Sequence, residues 1–66
     1  YAKYIGQVHN VLVEEASRRD ENQMAGKNEY NITVNFPGDK SLIGQFVNVK
    51  IVSSNTWALY GEIEKG

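Results

Sequence analysis

Catalysis needs reactive groups that a fold can bring together, and this sequence offers few. His9 is the single histidine and there is no cysteine. A nucleophile–base pair would have to join His9 to a serine distant in sequence, so His9 reads as an ordinary histidine on the surface or at a bulge. Glu14 and Glu15 are adjacent, which on a regular strand sends them to opposite faces and denies them a shared acid–base role. Gly6, Gly26, Gly38 and Gly44 stand apart from one another and make no phosphate-cradling loop. Asn31-Ile32-Thr33 fits a glycosylation sequon, which in a cysteine-free strand reads as chance. Without cysteine, the chain has neither disulfides nor thiolate metal ligands.

Binding chemistry is better represented. The most polar run, SRRDENQMAGKN from Ser17 to Asn28, opens on Arg18 and Arg19 and closes on Gly26 and Lys27. Lys3, Lys40 and Lys50 lie elsewhere. Arginine offers a planar fork to phosphates and a plane for stacking on bases. Tyr30 and Tyr60 fall on the polar phase of their expected strands, so their rings should face solvent. Aromatic rings beside basic loops make a stacking platform for single-stranded RNA. The competing reading is that the tyrosines cap the fold and the charges are merely solvated. A net charge of −1 supplies no basic excess, so local composition alone favours that plainer reading.

The elements that must position these residues read as strands. Ile32, Val34 and Phe36 alternate with Thr33 and Asn35, the period of a half-buried strand. Val47, Val49 and Ile51 alternate with Asn48 and Lys50. Trp57, Leu59, Gly61 and Ile63 share one face, opposite Ala58, Tyr60 and Glu62. The first run is less regular: Gly6 and Val8 fall on one phase, Val11 and Val13 on the other. A β-bulge near His9 and Asn10 would reconcile them. Pro37-Gly38 suits a turn with positive φ at the glycine. Residues 40–44 suit a short helical turn, and 53–56 a polar turn. The run from Ser17 lacks a sustained helical period, so it reads as a loop entering a strand near Met24–Tyr30. The expected fold class is all-β, a small five-stranded antiparallel β-barrel.

A chain of 66 residues makes one small domain and buries only about 60% of the surface its unfolded form exposes. An apolar content of 41% is that of a globular domain. No apolar run is long enough for a membrane span or a signal-peptide core. The absence of cysteine suits a reducing cytoplasm. The chain starts at Tyr1, which reads as a monomeric piece of a longer protein.

The series GQVHNVLVEEASRR, MAGKNEYNITVNF, IGQFVNVKI and TWALYGE resembles the TRAM domain, and within it the C-terminal domain of the radical-SAM methylthiotransferases. Gly6, Leu12-Val13-Glu14, Ser17, Gly26, Asn31, Val34-Asn35-Phe36, Ile43-Gly44 and Leu59-Gly61-Glu62 match the family pattern in order, over nearly the whole chain. Two positions depart from it. Glu15 stands where glycine is usual, and Lys27-Asn28 replaces an arginine-threonine pair. Lysine keeps the charge and loses the bidentate fork.

The resemblance implies an OB-like TRAM barrel that grips RNA without catalysing. Lys3, Arg18, Arg19, Lys27, Asn28 and Tyr30 are the expected contacts. It implies no cofactor here, but a longer enzyme with two 4Fe-4S clusters and S-adenosylmethionine that methylthiolates isopentenyladenosine beside the tRNA anticodon. The implied partners are the anticodon stem-loop and the radical-SAM domain of the same chain, in the cytoplasm. A tethered module need not bind tightly alone, because the tether supplies effective concentration. Three other readings stand beside it: the sister branch that grips a ribosomal protein, an unattached RNA chaperone, and an SH3-like peptide-binding barrel suggested by ALYGEIE. In SH3 domains the similar run lies near the start, whereas here it forms the last strand.

Overall fold

The computed structural model describes residues 2–17 and 22–64. Five strands form: β1 (Val8–Ala16), β2 (Gln23–Lys27), β3 (Thr33–Pro37), β4 (Phe46–Ser54) and β5 (Ala58–Ile63). They close into a barrel in the order β1-β2-β3-β5-β4, with β1 pairing back onto β4. All pairings are antiparallel except β3 with β5, which is parallel. Closure gives every described strand a partner on both sides, so none of them is an open sheet edge. The small OB-like barrel is therefore formed, with one parallel seam that alternation alone does not reveal.

Strand alternation fills the interior. Val11 and Val13 of β1, Met24 of β2, Ile32, Val34 and Phe36 on or next to β3, Val49 and Ile51 of β4, and Leu59 of β5 make the core. Burying each such side chain contributes about 1.5–3 kcal/mol, which a domain this small needs. Gly26 faces inward where a Cβ would strike the Leu12 carbonyl oxygen and come within 2.7 Å of Val11 Cγ1. Gly61 does the same against the Lys50 carbonyl and Val49 Cγ1, at 2.6 Å from the latter. These two glycines let strands approach at the barrel's corners.

The bulge in β1 lies elsewhere than expected. The inward phase runs unbroken through His9, Val11 and Val13, and the register shifts between Val13 and Glu15. Val8 is accordingly turned outward. The shift has a physical purpose: it exposes both Glu14 and Glu15 and brings Ala16 back against the core. Without it, one carboxylate would be buried. A matching shift in β4, between Ile51 and Ser53, leaves Val52 outside.

The connections also differ in detail. A 3₁₀ turn at Lys40–Leu42 forms as expected, with the Asp39 side chain accepting from the Ser41 N–H at 3.3 Å. Positive φ occurs at Gly6 (90°) and Gly44 (88°) rather than at Gly38. β2 stops at Lys27, so Tyr30 lies in a turn and not on a strand. Trp57 precedes β5 and is 81% exposed, outside the face it was expected to share with Leu59. No helix among the described residues is long and apolar enough to cross a membrane.

Candidate nucleic-acid interface

Strand directions gather three connections at one end of the barrel, where β2 and β4 end and β3 and β5 begin. They are the 3₁₀ turn Ala2–Tyr4 leading to β1, the β2–β3 turn at 28–32, and the β4–β5 turn at 55–57. Each brings an aromatic ring: Tyr4, Tyr30 and Trp57.

The β2–β3 turn is built by Asn28. Its Oδ1 accepts from the backbone N–H groups of Tyr30 (2.9 Å) and Ile32 (3.0 Å). Asn31 completes the turn with φ of 62°, a left-handed conformation that asparagine tolerates better than most residues. Tyr30 is thereby lifted off the strand and left 53% exposed. Its ring stacks on Tyr4, with centroids 5.3 Å apart and planes 24° from parallel. Lys3 Nζ stands 5.2 Å from the Tyr4 ring centroid, a cation–π distance.

Beneath this pair lies His9, only 2% exposed and not the surface histidine that the sequence suggested. It meets Tyr4 edge-on at 5.2 Å and Tyr30 edge-on at 5.5 Å. Its Nδ1 is 3.0 Å from Asn28 Nδ2 and its Nε2 is 2.9 Å from Gln7 Oε1.

The expected contact residues divide accordingly. Lys3 and Tyr30 come together at this end, joined by Tyr4. Lys27 stands next to the turn, half-buried, with Nζ donating to Thr33 Oγ1 at 3.1 Å. Asn28 is only 7% exposed, and both its side-chain polar atoms are engaged within the protein. Arg18 and Arg19 lie outside the described residues. The positions flanking them, Ser17 and Asn22, are at the opposite end of β2, where Ser17 donates its N–H to Gln23 O at 2.7 Å.

Tyr60 faces solvent from β5 as expected, and its hydroxyl accepts from Asn55 Nδ2 at 2.8 Å. Sequence reasoning missed Tyr4, His9 and Trp57. Only Trp57 carried a local signal: Asn55 begins an Asx turn, which takes residues 55–57 off the strand. The meeting of Tyr4 with Tyr30 is a tertiary event with no local signature.

The family model described as TRAM domain matches residues 2–63. Three similar proteins are named tRNA-2-methylthio-N(6)-dimethylallyladenosine synthase. That of Clostridium botulinum (strain Langeland) is 49% identical over 59 residues, covering 89% of this chain and 13% of that protein. That of Acidovorax sp. (strain JS42) is 45% identical over 62 residues, covering 94% of this chain and 14% of its own length. That of Bacillus mycoides (strain KBAB4) is 49% identical over 63 residues, covering 96% and 12% respectively. The chain thus spans only a small part of the length of the curated relatives it matches.

Proposed function

The chain belongs to the TRAM domain family, and from that premise we propose that it is the RNA-gripping module of a tRNA methylthiotransferase. The observation that carries the reading is the Tyr4–Tyr30 pair: two stacked rings, one more than half exposed, with a lysine ammonium over the other. Base–aromatic stacking is worth about 1–3 kcal/mol per base, and nearby cations add attraction to phosphate. An unpaired base of an anticodon stem-loop fits that chemistry, because bases in single-stranded loops can be splayed out and stacked.

Lys27 extends the platform along the outer face of β2. A strand of RNA following that face for roughly 15 Å, the length of five strand residues, reaches Ser17 and Asn22, the described residues that flank Arg18 and Arg19 in sequence. Those two arginines are further phosphate contacts in this reading. Asn28 acts by holding Tyr30 rather than by touching RNA.

In this reading the longer protein methylthiolates isopentenyladenosine beside the anticodon, in the cytoplasm. The names of the similar proteins support the tRNA substrate. Two 4Fe-4S clusters and S-adenosylmethionine would be held outside this chain, which has no cysteine to ligate a cluster. The radical-SAM domain of the same protein is then the neighbour that supplies the chemistry while this barrel orients the substrate.

The test is an NMR titration of the 66-residue chain with an anticodon stem-loop at low and high salt. Shifts should cluster at Lys3, Tyr4, Lys27 and Tyr30, extend to Arg18 and Arg19, and weaken as salt rises. Tyr30→Ala should weaken binding by about 1–3 kcal/mol. Shifts confined to the other end, around Gly38 to Lys40, or none at low salt, would overturn the reading.

A further inference from the structure

The polar groups beneath the Tyr4–Tyr30 pair form a chain whose direction is fixed. Asn28 Oδ1 takes two backbone N–H groups, those of Tyr30 and Ile32. Backbone donors cannot be reversed, so the Asn28 atom facing His9 is the amide nitrogen, and His9 Nδ1 must accept from it. A neutral imidazole then carries its proton on Nε2, which donates to Gln7 Oε1 at 2.9 Å. Gln7 Nε2 in turn faces the Lys3 carbonyl at 3.5 Å. A proton on Nδ1 would set one N–H against another.

We propose that His9, held as the Nε2–H tautomer, is a positioning residue that sets the tilt and spacing of Tyr4 and Tyr30 for an unpaired RNA base. The proposal rests on the reading of that pair as the RNA platform. His9 occupies an inward position on a strand whose next inward residues are Val11 and Val13. An apolar side chain there would fill the space without desolvating two ring nitrogens. It would also leave the Asn28 amide without its acceptor. The imidazole instead ties the Asn28 turn, which carries Tyr30, to Gln7 and so to the 3₁₀ turn that carries Tyr4. Both rings rest edge-on against it.

The experiment has two parts on the 66-residue chain. Long-range ¹⁵N–¹H spectra without RNA should show His9 with a protonated Nε2 and a bare Nδ1. His9→Phe, which keeps a ring and loses both hydrogen bonds, and His9→Gln, which carries an acceptor and a donor, are then titrated with anticodon stem-loop RNA. His9→Phe should weaken binding about three- to tenfold, the worth of roughly one net hydrogen bond, with altered Tyr30 resonances. His9→Gln should recover most of the loss. A proton on Nδ1 in place of Nε2, unchanged binding in His9→Phe, or no recovery in His9→Gln would overturn the proposal. Should His9→Phe not fold, the tautomer and His9→Gln decide it: the wrong tautomer, or His9→Gln binding that falls as far as in Tyr30→Ala, is the overturning result. If binding responds at Tyr30 but ignores His9→Phe, only this inference falls. If Tyr30→Ala binds RNA unchanged, the platform reading falls and the positioning role with it, whatever the tautomer.

Discussion

Asn55 donates its side-chain amide to the Tyr60 hydroxyl at 2.8 Å across the β4–β5 turn, while its Oδ1 takes the N–H groups of Trp57 (2.7 Å) and Ala58 (2.8 Å). One side chain therefore closes the turn and ties down an exposed tyrosine. Asn55→Ala should lower stability by about 1–3 kcal/mol, because two backbone donors lose their partner. Asn55→Asp keeps the acceptor for both backbone N–H groups, and its second oxygen can accept from the Tyr60 hydroxyl, so its loss should be smaller. Urea unfolding of the two variants checks the order, and equal losses would mean that the bonds to the Trp57 and Ala58 N–H groups contribute nothing.

Gly26 and Gly61 admit no side chain, since a Cβ at either would strike a carbonyl of the neighbouring strand. Gly26→Ala and Gly61→Ala should each cost about 1–3 kcal/mol through overpacking. Gly6 and Gly44 have positive φ and open space, so alanine there is strained by the backbone alone. Thermal melts of the four variants should place the first pair lowest and should show their β-sheet dichroism weakened well before that of the others.

Glu14 and Glu15 both face solvent because of the bulge between Val13 and Glu15. Glu14→Gln and Glu15→Gln should each change stability by no more than about 0.5 kcal/mol, as expected for surface positions. A loss of several times that at either residue would mean that its carboxylate is buried or specifically held.

Phe36 is fully buried and packs among Met24, Val34 and Leu59 in the core cluster. Phe36→Ala should cost about 3–5 kcal/mol, which is much of the total stability of a small domain. Far-UV dichroism at 37 °C should then show a largely unfolded chain. Trp57→Ala should leave the fold intact, since the ring is 81% exposed. As Trp57 is the sole tryptophan, its emission should change little on unfolding, and the contrast between the two probes checks both placements.

The strands of the core were legible because alternation is a local property. Ile32, Val34 and Phe36, and likewise Val49 and Ile51, point inward wherever a period-two segment has one buried side. The barrel as a class followed from short strands, polar turns and an ordered match to the TRAM pattern. What misled was any position whose side depends on a partner strand. The phases of Val8 and Val13 suggest a bulge near His9 and Asn10, whereas the register shifts between Val13 and Glu15, where β1 leaves β4 for β2. The spacing of Tyr30 fits a strand running on from Met24, yet β2 ends at Lys27. The Asn28 side chain ends β2 first, through hydrogen bonds that composition does not announce.

Alternation marked much of the interior in advance, Ile32, Val34, Phe36, Val49, Ile51 and Leu59 among it, and composition showed that basic and aromatic groups were present. Tertiary structure alone decided which of them meet. Tyr4 and Tyr30 stand 26 positions apart and stack because closure of the barrel brings the entry to β1 beside the β2–β3 turn. His9 became a buried hydrogen-bonded post rather than a surface histidine for the same reason: its partners, Asn28 and Tyr30, arrive from another strand pair. Periodicity reports how a segment divides inside from outside, while a site is made by contacts between segments, and those exist only once the sheet has closed.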